Sequence, residues 1–321
     1  MFRPGWTRDM PISIGICCYN EEKNIGQLLE ALLTQQTTVP IGEIIVVSSG
    51  STDRTDKIVE GIFPGTTPPV TLLRQKRREG KASAINLFLS HMTGDIAVLE
   101  SGDTVPAPGT IEYLTGPFAD PKTGMTGAHP VPVNDPSTFM GFTVHLLWRL
   151  HHRLALKKPK LGELVAFRGN LIDEIPVDTA VDEAFIEALL RQKGYDLKYV
   201  PDAIVYNRGP ENVSDFLKQR RRIFAGHLHL LQTKGYAPSS MQMSIVKLLA
   251  EDFELTPRSL LFTPAAMFLE LLGRLLGSYD FFIRNERHNI WHIATTTKEI
   301  PPGKLGKRIT VPDPPAGSGR G

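Results

Sequence analysis

From Ile12 to Glu100 the chain alternates short, nearly unbroken apolar runs with segments whose apolar residues recur at helical spacing. Ile12 to Cys18 is such a run, and Ile25, Leu28, Leu29, Leu32 and Leu33 after it share one face of a helix. Glu43 to Val47 repeats the strand signal, with Ser51 and Thr52 supplying turn and cap chemistry for a helix through Ile58. Val70 to Leu73, a helix from about Lys81 to Met92, and Ile96 to Glu100 complete the series. A strand buried on both faces reads as a continuous apolar run, and a helix between strands is the crossover that parallel neighbours need. The order predicts an α/β fold with a mainly parallel sheet covered by helices on both faces. Ligands of such sheets sit beyond the carboxyl ends of the strands. Candidate chemistry therefore falls at Tyr19-Asn20-Glu21, Ser48-Ser49-Gly50 and Ser101-Gly102-Asp103.

Further on the pattern loosens. Between about Met125 and Thr233 it predicts a strand at Thr126 to Val131, a helix at Thr138 to Leu156 and a strand at Glu163 to Arg168. A helix at Asp182 to Lys193, strand signals near Tyr199 and Ile204, and a helix at Ser214 to Leu231 follow. Leu260 to Leu276 reads as an amphipathic helix, with Glu270 and Arg274 placed to pair at i, i+4; it packs on the core or lies at a membrane surface. From Pro301 the chain is rich in Pro and Gly and reads as a flexible tail. The expected organisation is an α/β unit over 1–235 with halves at about 1–124 and 125–235, a helical appendage over 236–300 and a tail over 301–321.

Composition excludes several classes. At 321 residues, 41% of them hydrophobic, the chain can bury a full core without disulfides or a structural metal. Thirty-six Lys plus Arg against 34 Asp plus Glu give no field for nucleic acid, so no nucleic-acid partner is expected. Cys17 and Cys18 are neighbours in an apolar run, which suits a reducing compartment and predicts a cytoplasmic location. Met1 to Asp9 shows no apolar stretch of a secretory signal, and Ser259 to Leu269 is about half of the roughly 20 residues a membrane span needs. The expectation is peripheral contact with a membrane surface. His151-His152 with Lys157, Lys158 and Lys160 reads as a solvated basic face or a lipid-headgroup site, Trp291 with Phe281-Phe282 as core or interfacial anchor, and His288 with His292 lacks the Glu of a zinc helix. Gly80-Lys81 is no P-loop, since Ala82 follows where Ser or Thr is needed, and no G-x-G-x-x-G follows a strand.

What remains is a set of fragments in fixed order: Pro11 to Glu22, Glu43 to Asp53, Gly80 to Asn86, Gly94 to Thr104, Val181-Asp182-Glu183, Gly194-Tyr195, and Gln219 to Arg222. Over roughly residues 11 to 230 this series resembles the family 2 glycosyltransferases, inverting enzymes of the GT-A fold, and Gln219 to Arg222 is similar to the Q-x-x-R of their synthase-type branch. The resemblance implies a GT-A-like catalytic domain over 1–235. It further implies a hexosyl- or N-acetylhexosaminyl-transferase of glycan or polysaccharide biosynthesis that uses a nucleotide sugar, usually UDP-linked, with Mn²⁺ or Mg²⁺.

Residue by residue, the resemblance places Asp103 on the metal, although Ser101 stands where the D-x-D motif has its first acid. Tyr19, Glu21 and Ser49 fall in the nucleotide pocket, with Ser48-Ser49 replacing an acidic pair. Lys81, at a helix start that also attracts anions, falls beside the diphosphate or is an ordinary surface lysine. Arg222, one helical turn from Gln219, offers a planar fork to the same diphosphate. Glu183 stands where the catalytic base is expected and Asp182 beside it, the family's two acids being exchanged, so Asp182 is the reserve base; at a helix start both also complement the dipole. Ile223 replaces a tryptophan that supports the acceptor pocket. Asn20 and Asp53 read as helix-start and turn residues.

The expected reaction is inverting transfer of the sugar to a hydroxyl acceptor, a glycan or a lipid-linked sugar at the membrane. Two other readings remain open on the residues: a sugar nucleotidyltransferase, and a non-catalytic sugar-nucleotide-binding module on the same fold.

Overall fold

The computed structural model describes residues 11–242, 249, 255–286, 297–301 and 303. Among them one sheet holds eight strands: β1 (Ile12–Cys18), β2 (Ile41–Ser49), β3 (Val70–Gln75), β4 (Ile96–Ser101), β5 (Thr104–Pro106), β6 (Thr123–Pro132), β7 (Val165–Arg168) and β8 (Asp196–Asn207), in the order β3-β2-β1-β4-β7-β6-β8-β5. The principal helices are α1 (Ile25–Leu33), α2 (Thr55–Ile62), α3 (Lys81–His91), α4 (Thr110–Thr115), α5 (Phe139–Lys157), α6 (Asp182–Gln192), α7 (Val213–Lys234), the single turn α8 (Ser239–Gln242) and α9 (Pro257–Tyr279).

Strands β1 to β4 pair in parallel, as the alternation predicts. The α/β expectation is borne out, and the sheet is mixed beyond β4. Strand β7 runs antiparallel to both β4 and β6, and β5 antiparallel to β8, while β6 and β8 are parallel. Chain order reverses at β1, which lies between β2 and β4, and the crevice at its carboxyl end is where such a sheet binds ligands.

Side-chain alternation along β1 builds both faces of the core. Ile12, Ile14 and Ile16 point to one face and are fully buried with Leu28, Leu29 and Leu32 of α1. Each such burial contributes about 1.5–3 kcal/mol. Gly15 faces the other way, where a Cβ would stand 2.5 Å from the Phe88 ring of α3. Glycine at this point lets α3 lie against the sheet, with Ile85 and Phe88 sealed against Val47, Ala97 and Phe167.

Two elements have no counterpart in the predicted pattern: the three-residue β5 and the helix α4. The signals near Tyr199 and Ile204 belong to a single strand, β8, whose register against β6 slips between Tyr199 and Ile204, where Pro201 sits. The helix α2 starts at Thr55, later than Ser51 and Thr52 suggest, and Asp53 accepts from the Thr55 amide at 2.9 Å.

The helix α9 lies along α7. Gly273 and Gly277 allow the approach, because a Cβ at either would fall 2.6 Å from Arg220 Cβ and from the Arg221 carbonyl oxygen. Three consecutive arginines on α7 point about 100° apart around the helix and so take different partners. Arg220 donates to Glu270 through Nε at 2.6 Å and Nη2 at 2.9 Å, Arg221 forms a two-pronged pair with the fully buried Asp280, and Arg222 turns toward the crevice. Arg274 also donates to Glu270, at 2.9 Å, confirming the i, i+4 pair. The opposite face of α9 is apolar and open, with Leu261, Phe268, Leu271 and Leu275 each more than half exposed, as are Phe282 and Ile283 in the helical turn Asp280–Arg284 that follows it.

Pro257–Arg284 is long and apolar enough to cross a membrane by length and composition. The sequence pattern halves it at Glu270, because the partners of that charge lie on the protein-facing side. The segment 297–301 returns to the sheet, where Ile300 is 1% exposed beside Val105 and Val133 and its carbonyl accepts from Gln27 at 2.9 Å. Met1 to Asp9, His288, Trp291 and His292, and almost all of the tail expected from Pro301, lie outside the described residues.

Candidate active site

The strand-end loops are held before any ligand is considered. Asn20, in the left-handed region at φ 53°, accepts from the Thr52 amide at 2.7 Å and donates to the Thr52 hydroxyl at 3.2 Å. Asp53 accepts from the Glu22 amide at 3.1 Å. Both residues staple the loop after β1 to the loop after β2, in keeping with their structural reading. Gly50, at φ 70°, passes so close to the Arg77–Arg78 backbone that a Cβ would lie 2.5 Å from the Arg77 carbonyl carbon. This brings the Arg78 guanidinium over the Tyr19 ring, 4.3 Å from its centroid. Ser49 accepts from the Glu79 amide at 3.2 Å.

Asp103 reaches the crevice because Gly102 before it has no side chain: a Cβ there would meet Cys18 Cβ and Glu21 Cγ at 2.8 Å. Asn24 fixes the same turn by donating to the Gly102 carbonyl at 2.7 Å and the Thr104 carbonyl at 3.2 Å. Glu21 is 4% exposed. Burial, with the Asp103 charge adding to it, pushes its carboxyl up to about 8 against the opposing ammonium of Lys298, which pairs with Oε1. Its Oε2 is buried with no hydrogen-bond partner among the described residues.

On the far side of the crevice, α6 begins with Asp182 and Glu183, and α7 presents Gln219 and Arg222. Gly226 sets the spacing of these two helices. A Cβ there would stand 2.9 Å from Val181 Cγ1, so α7 rests directly on the residue that precedes the two acids. Lys81, the first residue of α3, spans the crevice: its Nζ donates to Glu183 Oε1 at 2.6 Å and to Ser101 Oγ at 3.1 Å. Burial opposes the charge on Lys81, but the Glu183 and Asp182 carboxylates outweigh it and hold the ammonium above its ordinary value. Burial likewise opposes ionisation of Glu183, and the charge and hydrogen bond of Lys81 overcome it, so this carboxyl lies below its ordinary value. Asp182 goes the other way. Burial drives its carboxyl up, the neighbouring Glu183 adds to the effect, and neither of its oxygens finds a hydrogen-bond partner among the described residues. Burial lowers Arg222 to about 10 despite four carboxylates around it, those of Asp182, Glu183, Glu163 and Asp103.

The crevice continues into a pocket of about 850 Å³. Tyr19, Glu21, Ser49, Lys81, Asp103, Glu183, Gln219 and Arg222 all line it, so eight of the nine residues singled out in the sequence meet at one cavity; Asp182 lies behind its wall. Among the other lining residues, Glu163, Lys298 and Lys160 bring charge to the cavity that sequence reasoning did not assign to the site. Glu163 sits in the left-handed region at φ 63° just before β7, and burial with the Asp103 charge pushes its carboxyl up to about 7. The strand-end rule misses it because β7 is antiparallel to β4, which puts the amino end of β7 at the active edge. Lys298 donates to the Tyr19 carbonyl at 2.7 Å as well as pairing with Glu21, and nothing in its local sequence signals a partner so distant in the chain. Lys160, read from the sequence as part of a solvated basic face or a lipid-headgroup site, lines the cavity. The rest of that stretch divides: Lys157 and Lys158 are exposed, whereas His151 is 7% exposed and His152 stacks on His129 with ring centroids 4.2 Å apart while hydrogen-bonding the Tyr199 hydroxyl at 2.8 Å.

No group of three or more His, Cys, Asp or Glu among the described residues forms a closed metal cage. Asp103, at the strand end with Glu163 nearby, is a hard oxygen donor of the kind that holds Mg²⁺ or Mn²⁺ with one or two carboxylates while substrate phosphates and water complete the shell. The residues fit an ion shared with a diphosphate.

A sheet whose strand order reverses at β1, with cations and carboxylates gathered at the carboxyl edge of its parallel half, is an arrangement suited to an anionic, phosphorylated ligand. Comparisons narrow the class. Residues 13–172 match the profile described as Glycosyl transferase family 2, and residues 97–288 match Glycosyl transferase family group 2. The chain belongs to the family 2 glycosyltransferases. It is 24% identical over 287 residues to a probable glycosyltransferase, YdaM, of Bacillus subtilis, covering 81% of this chain and 63% of that one. It is also 24% identical over 234 residues to a poly-beta-1,6-N-acetyl-D-glucosamine synthase of Staphylococcus aureus, covering 69% and 56%. The chain thus spans about three fifths of the length of these curated relatives. Among solved structures it resembles the mannosyltransferase PcManGT of Pyrobaculum calidifontis in complex with GDP-Man and Mn²⁺, at a TM-score of 0.60, 24% identity and 87% of each chain. The glucosyl-3-phosphoglycerate synthase of Mycobacterium tuberculosis with Mn²⁺, UDP and phosphoglyceric acid follows at a TM-score of 0.50, 19% identity, 74% of this chain and 85% of that one. These likenesses show the GT-A-like fold.

Proposed function

We propose that this chain transfers a hexosyl or N-acetylhexosaminyl group from a nucleotide sugar, most simply UDP-linked, to a hydroxyl of a glycan or lipid-linked acceptor, with inversion at the anomeric carbon. The observation that carries the reading is the Lys81–Glu183 pair, which joins the strand-end half of the crevice to the α6–α7 half, with Asp103 and Arg222 beside it.

In this account Tyr19, Glu21 and Ser49 hold the nucleoside. A divalent cation on Asp103, when bound, neutralises the diphosphate of the leaving group. Arg222, fixed beside Gln219 and aimed into the pocket, meets the same diphosphate with its planar fork and stabilises charge as the glycosidic bond breaks. Glu183 takes the proton of the acceptor hydroxyl as that oxygen attacks from the side opposite the leaving group. A base so placed contributes about 10²–10⁴-fold. Two properties favour Glu183 over Asp182: it lines the pocket, and Lys81 keeps it ionised and ready to accept. Asp182, buried and pushed toward its neutral form, serves the local field. Lys81 acts on both sides, holding the base ionised before the donor arrives and turning to the diphosphate as the base is protonated.

The open apolar face of α9 supports work at a membrane surface, with the helix lying in the interface along α7 and its charges turned inward. Purified protein given UDP-, GDP- and dTDP-sugars with Mn²⁺ and a lipid-linked acceptor should release nucleoside diphosphate, and Glu183→Gln should lower that release at least 100-fold. Release from no donor, or equal release by the variant, overturns the reading.

A further inference from the structure

The 850 Å³ pocket does not end at the catalytic groups. A second branch runs between α5, α7 and α9, walled by Leu150 and Leu154 of α5, Leu249, and Ala266 of α9. It reaches Met267 and Leu271, which belong also to the exposed apolar face of α9, so the branch communicates with the surface assigned to the membrane.

A purely apolar channel would suit a hydrocarbon alone, but this one carries charge at its inner end. Lys160 supplies that charge, and the imidazoles of His151 and His227, which burial keeps neutral, line it there beside the Arg220–Glu270–Arg274 cluster. Three cations thus face one carboxylate, Glu270. The other nearby acid, Glu187, already accepts from the Leu161 amide at 2.8 Å and the Tyr236 hydroxyl at 3.0 Å, and burial pushes it up to about 7. Burial presses Lys160 down to about 8, the state of an ammonium without a full counter-charge. The Nδ1 of His151 is buried with no hydrogen-bond partner among the described residues, although the residue is only 7% exposed. Natural interiors seldom leave such a group unsatisfied. Lys160 stands three residues before Glu163, whose carboxyl faces Asp103 and Arg222, so the charged end of the branch adjoins the transfer site.

We propose that this branch is the acceptor subsite for a lipid phosphate: Lys160, with His151 and His227, holds the phosphate through which the acceptor sugar hangs from its lipid, while the chain leaves past Met267 and Leu271. The inference rests on the membrane-surface reading above and adds the head-group chemistry. It requires no covalent step at the phosphate.

The test is binding without donor or turnover. Calorimetric titration of the full chain in detergent with farnesyl phosphate, farnesol and inorganic phosphate separates lipid phosphate from bare chain and from free anion. Farnesyl phosphate should bind at least tenfold more tightly than either of the others. Lys160→Met should cost at least tenfold for farnesyl phosphate and leave farnesol unchanged, Lys160→Arg should retain binding, and His151→Leu should weaken it independently. Equal affinity for farnesol and farnesyl phosphate, tight binding of inorganic phosphate alone, or wild-type binding by both Lys160→Met and His151→Leu overturns the proposal. If farnesyl phosphate binds through Lys160 but no donor is turned over, the transfer reading fails and the subsite stands. If transfer proceeds and neither variant alters binding, the reverse holds.

Discussion

Replacing Lys81 by methionine keeps the stem of the side chain and deletes the charge that the account makes responsible for the ionised base. The ammonium lies 2.6 Å from Glu183 Oε1, with side-chain exposures of 14% and 19%, so solvent screens the pair only in part. An opposite charge at this range lowers a carboxyl pKa by about 1–3 units, or ~1.4–4 kcal/mol at 1.36 kcal/mol per unit. Deleting it should raise the Glu183 value by that amount, less what Arg222 still supplies. Nucleotide release followed from pH 5 to 9 should then show the acid limb of kcat/KM displaced upward by about 1–3 pH units in Lys81→Met and unmoved in Lys81→Arg.

Stability should move with it. Glu183, held below its ordinary value, stabilises the fold above its unfolded pKa and loses that contribution as pH falls through the folded value. Lys81, held above its ordinary value, contributes below its unfolded pKa and loses it only as pH rises through its own folded value. The variant should therefore be less stable by roughly 2–3 kcal/mol at neutral pH, below the 3–5 expected for a fully buried pair. The gap should narrow below about pH 4, where the carboxylates of the unfolded chain protonate. A uniform fall in kcat/KM with the acid limb in its wild-type place would assign Lys81 to the diphosphate alone and refute the reasoning.

Three other outcomes follow from the packing and the buried charges. Gly226→Ala places a methyl 2.9 Å from Val181 Cγ1 and should cost about 1–3 kcal/mol, with a fall in kcat exceeding any change in donor KM, because α7 carries Arg222 away from α6; thermal melts and steady-state kinetics check it. Glu100, 1% exposed and pushed up to about 8 by burial, favours the fold below its unfolded pKa and loses that contribution as pH rises toward 8, so Glu100→Gln should gain on wild type in denaturant melts by up to ~1.4 kcal/mol for each pH unit between 5 and 8. Phe268→Glu with Leu275→Glu, both on the open face of α9, should abolish sedimentation with anionic phospholipid vesicles and leave the melting temperature within a few degrees of wild type; unchanged sedimentation would remove α9 from the membrane contact.

The strand-end half of the crevice was legible because its logic is local. Each of β1, β2 and β4 is an apolar run followed at once by the residues that line the crevice, so the order of the chain reads as the order of the site. The α6–α7 half was legible only where motif and helix coincide, at Asp182-Glu183 and at Gln219 to Arg222. Even there, the separation of a lining Glu183 from a sealed Asp182 depends on how α7 settles on Val181 through Gly226, which no spacing reveals. Glu163 escaped because strand direction reverses at β7, and Lys298 because its partner Glu21 is 277 residues away. In the basic stretch Lys157 and Lys158 are exposed as a solvated face requires, but His151 and Lys160 depart from it for the same reason as Glu270: charge looks solvated until the element that covers it is known, and here α9 and α7 supply the cover.

All of these roles converge on a single displacement assisted by Glu183, and its stereochemistry tests that claim most directly. The anomeric proton of the glycoside formed in the first turnover from an α-linked nucleotide sugar, read by NMR, should show the coupling of a β-glycoside. An α-linked product would contradict the account, because retention requires a second displacement for which Glu183 has no place.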